Sequence, residues 1–285
     1  MMDRIKAKEL RVFAEEIRVE TLKTIGCAGF GHVGGAMSIV ETVAVLYGDI
    51  MKYDPKNPGW QDRDKLILSK GHAGPTLYAV LAMKGFFPKE MLTELNKGGG
   101  RLPSHVDRNK TPGIDMTAGS LGQGLSVAAG VALGDRMDGR ASRTFVIVGD
   151  GELDEGQNWE GIMFAKQFKL DNLICLVDAN GQQLDGYTKD IMDLGSIADK
   201  LRSFGWNTQD VDGHDISQIY DAIIAASDIK GIPSAIILHT KKGHGCTFAE
   251  GVLANHHINF KCEQIDEALE AAQATLEKAK KALYT

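Results

Sequence analysis

Phe145-Val146-Ile147-Val148-Gly149-Asp150-Gly151-Glu152 is the stretch that decides the fold. Four apolar residues, three of them β-branched, run into Gly-Asp-Gly, which reads as a short buried strand ending at a turn. Leu173 to Val177 and Ala235 to Leu238 are runs of the same kind, each separated from the next by helix-like segments. Short runs without alternation are how strands buried on both faces appear in a sequence. The pattern therefore predicts an α/β fold, a parallel β-sheet with helices on both faces. Ligands of such sheets sit beyond the carboxyl ends of the strands, so the chemistry is expected just after these runs.

Around this centre, Ile5, Leu10, Val12, Phe13, Ile17, Leu22 and Ile25 keep helical spacing and predict an opening amphipathic helix over residues 4–25. A glycine-rich turn follows, then a helix-compatible run from Ser38 to Met51. The Pro, Asn, Gly and Asp of residues 53–64 mark a loop that feeds Leu66-Ile67-Leu68. No repeat or low-complexity linker interrupts residues 1–255, which places one domain over 1–260. Residues 261–285 form a terminal amphipathic helix, with Ile265, Leu269, Ala272, Leu276, Ala279 and Leu283 on one stripe. That stripe fits a helix packed on its own domain or one that docks a partner.

A formal net charge of -6 and a pI near 5.8 speak against a nucleic-acid surface, which needs clustered Lys and Arg. With 43% hydrophobic residues, the chain has enough apolar material for a sizeable core. The charged N-terminal segment holds no apolar run suited to a signal peptide or membrane span, so a cytoplasmic protein with no membrane partner is expected. Cys27, Cys175, Cys246 and Cys262 are scattered without CxxC spacing and read as reduced thiols.

Asp150 follows one strand, and Asn180, thirty positions on, follows the next as Asp178-Ala179-Asn180-Gly181. A carboxylate, a carboxamide oxygen and an inward-turned backbone carbonyl suit a magnesium ion that keeps phosphate oxygens as its other ligands. Glycines flanking Asp150 admit a diphosphate close to the backbone, and a helix beginning near Glu155 aims its amides at the same anion. Taken singly, each motif is also an ordinary turn. Their joint placement after two strands sets them apart.

These residues resemble the thiamine-diphosphate signature in its transketolase form. Gly31-His32-Val33-Gly34-Gly35, Asp62 to Lys65 with Leu68-Ser69-Lys70-Gly71-His72, and Thr117 to Gly124 resemble further transketolase motifs, in family order over nearly the whole chain. The resemblance implies thiamine diphosphate with Mg2+ (Ca2+ or Mn2+ as substitutes), held by Asp150, Asn180 and the backbone carbonyl of Gln182. It also puts Gly151 and His72 at the diphosphate, and Gly119, Ser120 and Leu121 along the aminopyrimidine. His32, His105 and His256 resemble the histidines that bind substrate hydroxyls and move protons, work suited to imidazole near neutral pH. Lys242 matches a lysine near the cofactor, with a solvated basic turn as the plain alternative. Glu155 matches a glutamate that links two cofactor sites across a subunit interface, and equally suits a helix N-terminus. His214, His239 and His257 receive no role.

Three departures stand out: Val33 replaces a proline, His105-Val106-Asp107 replaces a proline-rich stretch, and Asn255-His256-His257 replaces Trp-His-Gly. The third weakens the match of His256. In the family, the glutamic acid that protonates the cofactor's pyrimidine ring lies in a second domain, and none fits after His256. The resemblance thus implies the N-terminal subunit of a split transketolase acting on sugar phosphates. Its partner is a C-terminal subunit carrying the pyrimidine-binding domain, in a heterotetramer. Competing readings are the α subunit of a 2-oxo-acid dehydrogenase, a deoxyxylulose-phosphate synthase-like chain, and a non-catalytic phosphate-binding assembly subunit.

Overall fold

The computed structural model describes residues 2–284. Helix α1 (Arg4–Ala28) is capped by Asp3, whose carboxylate accepts the amides of Ile5 and Lys6 at 2.9 and 3.0 Å. Gly29, at φ 77°, ends it in the left-handed conformation. Strand β1 (Phe30–Gly31) and helices α2 (Val33–Met37) and α3 (Val40–Val45) follow, and α3 runs on into a π-helical turn at Leu46–Ile50. The single run expected over Ser38 to Met51 is thus remodelled, and Gly48 within the π turn lies where a Cβ would strike Leu10 of α1. The order continues with β2 (Lys65–Leu68), α4 (Gly74–Met83), α5 (Gln123–Met137), β3 (Thr144–Gly149) and α6 (Gly156–Gln167). Next come β4 (Leu173–Ala179), α7 (Thr188–Ile191), α8 (Ile197–Ser203), β5 (Asn207–Asp212) and α9 (Ile216–Asp228). Strands β6 (Ser234–His239) and β7 (Ile258–Asn259) and helix α10 (Cys262–Leu283) complete it.

Five strands form one parallel sheet in the order β2-β3-β4-β6-β5. The three apolar runs of the sequence are its central strands. Alternate residues feed two cores: Phe145, Ile147, Ile174, Leu176, Ile236 and Leu238 face α1, α3, α4, α9 and α10, while Val146, Val148, Cys175, Val177 and Ile237 face α5, α6 and α8. Each fully buried aliphatic side chain contributes roughly 1.5–3 kcal/mol, so the centre of the sheet is the stiffest available support. Gly149 lies opposite Asp178 in the β3–β4 register, and the two ligand-bearing loops leave the sheet side by side.

The final helix packs on its own chain. Ile265, Ala268, Ala272 and Leu276 enter the core that holds Leu22 and Ile25, and a Cβ at Gly26 would come within 3.0 Å of Ile265 Cγ1. The small antiparallel ribbon of β1 and β7 pairs Phe30 with Asn259 and Gly31 with Ile258. Cys175 and Cys246 are buried, Cys27 and Cys262 exposed, and all four are free thiols. No helix among the described residues is long and apolar enough to cross a membrane.

Candidate functional site

Where β3 ends, Asp150 donates its amide to the carbonyl of Asp178 at 3.1 Å, locking the two loops together. Its carboxylate accepts the amides of Gly151 at 2.9 Å and Gly181 at 2.6 Å. Burial, and then the neighbouring Asp178, push Asp150 up to about 6, the mark of a carboxylate in want of a positive partner. Asn180 donates through Nδ2 to Asp178 at 2.8 Å, which sets its amide, and its Oδ1 accepts the amide of Gln182 at 3.1 Å. The side-chain oxygens of Gln182 and Gln183 are buried without a hydrogen-bond partner. Carboxylate, carboxamide and carbonyl oxygens crowded around this turn form a hard donor set, and they fit a magnesium-like cation. A Cβ at Gly151 would come within 2.7 Å of Gln183 Cβ, so the close approach here depends on glycine. The amides nearest Asp150 belong to a 3-10 turn, Gly151–Asp154. The helix expected near Glu155 follows that turn, beginning at Gly156 with Glu155 as its N-cap residue.

Beneath this loop lies a buried network that the sequence did not disclose. Asp178 is fully buried and accepts Lys70 Nζ at 2.5 Å, Ser38 Oγ at 2.7 Å and Thr240 Oγ1 at 2.5 Å. Burial alone would raise its pKa, and the Lys70 ammonium together with the Thr240 and Ser38 hydroxyls more than reverses that, holding it below the ordinary range. Glu152 ties three loops together, accepting the hydroxyl of Ser69 and the amides of Gly122 and Gly149 at 3.0 Å each.

Beside the cation-suited turn the chain gathers its histidines. The His32 ring centroid lies 5.5 Å from His72, 5.1 Å from His105, 5.4 Å from His256 and 4.7 Å from His257. His72 and His256 are 4.6 Å apart. Gly35 makes room for this packing, since a Cβ there would come 2.9 Å from His72 Nε2. Burial lowers every one of the first four, with neighbouring cations and imidazoles adding to it: His32 to about 3, His256 to about 4, His72 well below the usual value and His105 downward. These four are therefore neutral at pH 7, able to donate and accept hydrogen bonds.

Lys242 joins the two halves of the site. It is buried, which excludes the solvated-turn alternative, and its Nζ lies 3.4 and 3.3 Å from the carbonyls of Gln182 and Gln183 and 3.3 Å from His256 Nδ1. Burial and then Lys70 lower its pKa to about 8. An ammonium only donates, so His256 Nδ1 accepts and the His256 proton resides on Nε2. Asn255, standing in place of a tryptophan, is buried and donates to the carbonyls of Lys242 and Ala249, while the Asn255 carbonyl accepts the amide of Gly34 at 2.9 Å. His256 is held firmly despite that departure.

Gly119 packs on the His105 ring, with a Cβ built there 3.5–3.6 Å from it. Ser120 and the half-buried Leu121 continue the same loop toward solvent. Glu155 stands apart from the histidines, exposed at the start of α6 and against Gly122. His214 bonds Glu41 at 3.1 Å and His239 bonds Asp210 at 3.1 Å, both outside the cluster. His257, given no role from sequence, is inside it. A cavity of about 540 Å³ between Trp60, Arg63 and Ile114 lies toward the amino end of β2 and away from this chemistry.

Residues 11–278 match the family model described as "Transketolase, thiamine diphosphate binding domain". The chain is 51% identical to the 6-deoxy-6-sulfo-D-fructose transketolase subunit SqwG of Clostridium sp. (strain MSTE9), over 95% of this chain and 97% of that one. It is 34% identical to an apulose-4-phosphate transketolase subunit of Phocaeicola vulgatus, over 97% and 98% of the two chains. Among solved structures, the transketolase of Campylobacter jejuni superposes with a TM-score of 0.87 at 26% identity, covering 98% of this chain and 46% of that one. A Pichia stipitis transketolase gives 0.85, with 45% of its length covered. The chain thus spans almost all of the first two relatives and about half of the solved transketolases.

Proposed function

The chain belongs to the transketolase family through its thiamine diphosphate binding domain, and from that footing we propose that it is the N-terminal subunit of a two-chain transketolase. In this reading the enzyme moves a two-carbon ketol unit from a ketose to an aldose phosphate, in the cytoplasm. A separate C-terminal subunit supplies the pyrimidine-binding domain, in a heterotetramer. The observation that carries the proposal is the meeting of Asp150, Asn180 and Gln182 with Lys242 and the histidines at the carboxyl ends of β3 and β4. Relatives of matching length are named as transketolase subunits, which supports a divided enzyme.

Asp150, Asn180 and the Gln182 carbonyl would hold Mg2+, and through it the diphosphate, with Gly151 and His72 alongside. Bound thiamine diphosphate supplies the carbon–carbon bond chemistry. The protein's own part is to bind, orient and move protons. Neutral His32, His105 and His256 grip the hydroxyls of the ketose, and His256, its proton fixed on Nε2 by Lys242, presents a donor. Gly119, Ser120 and Leu121 line the aminopyrimidine, and Glu155, exposed beside them, faces the subunit interface. Residues 1–260 then form the diphosphate-binding domain, closed by the C-terminal helix α10 (Cys262–Leu283).

The name of the 51%-identical relative supports a 6-deoxy-6-sulfo-ketose as the first donor to test. A screen of the assembled pair with 6-deoxy-6-sulfo-D-fructose, xylulose 5-phosphate and pyruvate, each with an aldose phosphate acceptor, decides the point. Ketose turnover is expected; consumption of pyruvate with no ketose turnover would overturn the reading.

A further inference from the structure

His257 occupies the position at which the family pattern has a glycine, so its imidazole is an addition to that pattern. The β1–β7 ribbon fixes where that imidazole stands. Its register pairs Gly31 with Ile258, and one step further places His257 across from His32. The rings agree: His257 lies 4.7 Å from His32 at 81°, nearer than any other histidine of the cluster, and 5.8 Å from Phe30 on its outer side.

The cluster has a direction. Lys242 and His256 stand at the cation-suited turn, His72 and His32 come next, and His257 is the exposed end. Its ring nitrogens make no hydrogen bond among the described residues, unlike those of His214 and His239. On the transketolase reading, a ketose seated with its reacting carbons over the inner histidines would carry its remaining hydroxyls outward, past the exposed His257.

We propose that His257 is a specificity-determining residue that hydrogen-bonds a hydroxyl of the donor ketose beyond its transferable two-carbon unit. The inference rests on the transketolase reading and deepens it, because it names which donors the open end of the site favours. Longer, polyhydroxylated ketoses gain a contact that a short donor does not reach.

The test compares two donors in the assembled complex. One is the ketose turned over best; the other is hydroxypyruvate, which carries the transferable unit and no further hydroxyls. Losing one neutral hydrogen bond corresponds to roughly a threefold to tenfold change. His257→Gly is therefore expected to lower the ketose-to-hydroxypyruvate ratio of kcat/KM by about that factor, through KM for the ketose. His257→Asn, which keeps a donor, should recover part of it. An unchanged ratio, or equal losses with both donors, would overturn the inference. A wild-type complex that transfers from neither donor would remove the transketolase reading itself.

Discussion

Replacing Lys70 by methionine keeps much of its length and removes its charge from the most enclosed ion pair of the site. The Lys70 and Asp178 side chains are 2% and 0% exposed. Removing one partner of a buried pair leaves an uncompensated charge, at a cost of about 3–5 kcal/mol. Asp178 retains hydrogen bonds from Ser38, Thr240 and Asn180, which places Lys70→Met near the low end, about 3 kcal/mol. That is roughly a hundredfold shift in the folding equilibrium. Urea unfolding monitored by circular dichroism reads it as a lower midpoint at unchanged slope. Adding Asp178→Asn removes the stranded charge; with its Nδ2 toward Thr240, whose hydroxyl can turn to accept, its oxygen still accepts from Ser38 and Asn180, so the double variant should recover about 2 kcal/mol. A single variant within about 1 kcal/mol of the parent, or a double variant no more stable than the single, would refute the reasoning.

Three further outcomes follow from the same geometry. Burial, then the charge of Arg18, lower His244 to about 4. A depressed histidine gives stability that is complete above its unfolded pKa near 6.5 and lost as pH falls toward 4. Discounted for the 30% exposure of its side chain, this is about 2 kcal/mol, and His244→Gln should flatten the fall in urea midpoint between pH 7.5 and 4; equal slopes in both proteins would contradict it. Gly124→Ala puts a methyl against the Ser69 side chain and 2.7 Å from its Cα, so thermal melting should show a loss of about 1–3 kcal/mol, and an unchanged melting temperature would count against this packing. In the assembled complex, chelating the metal or making Asp150→Ala should each weaken thiamine diphosphate binding at least roughly tenfold by calorimetry, whereas a phosphate-binding remnant would lose nothing measurable.

Much of this was legible because of where apolar residues fall. Unbroken runs identified β3, β4 and β6 as central strands, and central strands fix the exits of Asp150 and Asn180. Strand β5, Asn-Thr-Gln-Asp-Val-Asp, escaped that reading because an edge strand needs little apolar surface. The buried charges were also hidden. Lys70 and Asp178 are 108 positions apart, and Glu152 and Ser69 are 83 apart, so only the folded chain brings each pair together. His257 went unread for a related reason: its place depends on a two-residue ribbon too short to leave a periodic signal. Lys242 stood open between two readings, since burial of a basic turn is a property of the packed chain.

The most direct test mixes purified components. Supplied with thiamine diphosphate, Mg2+, a ketose donor and an aldose phosphate, this chain is expected to transfer no ketol unit, and transfer should begin when a C-terminal subunit carrying the pyrimidine-binding domain is added. Full two-carbon transfer by this chain alone would contradict the division of the enzyme between two chains.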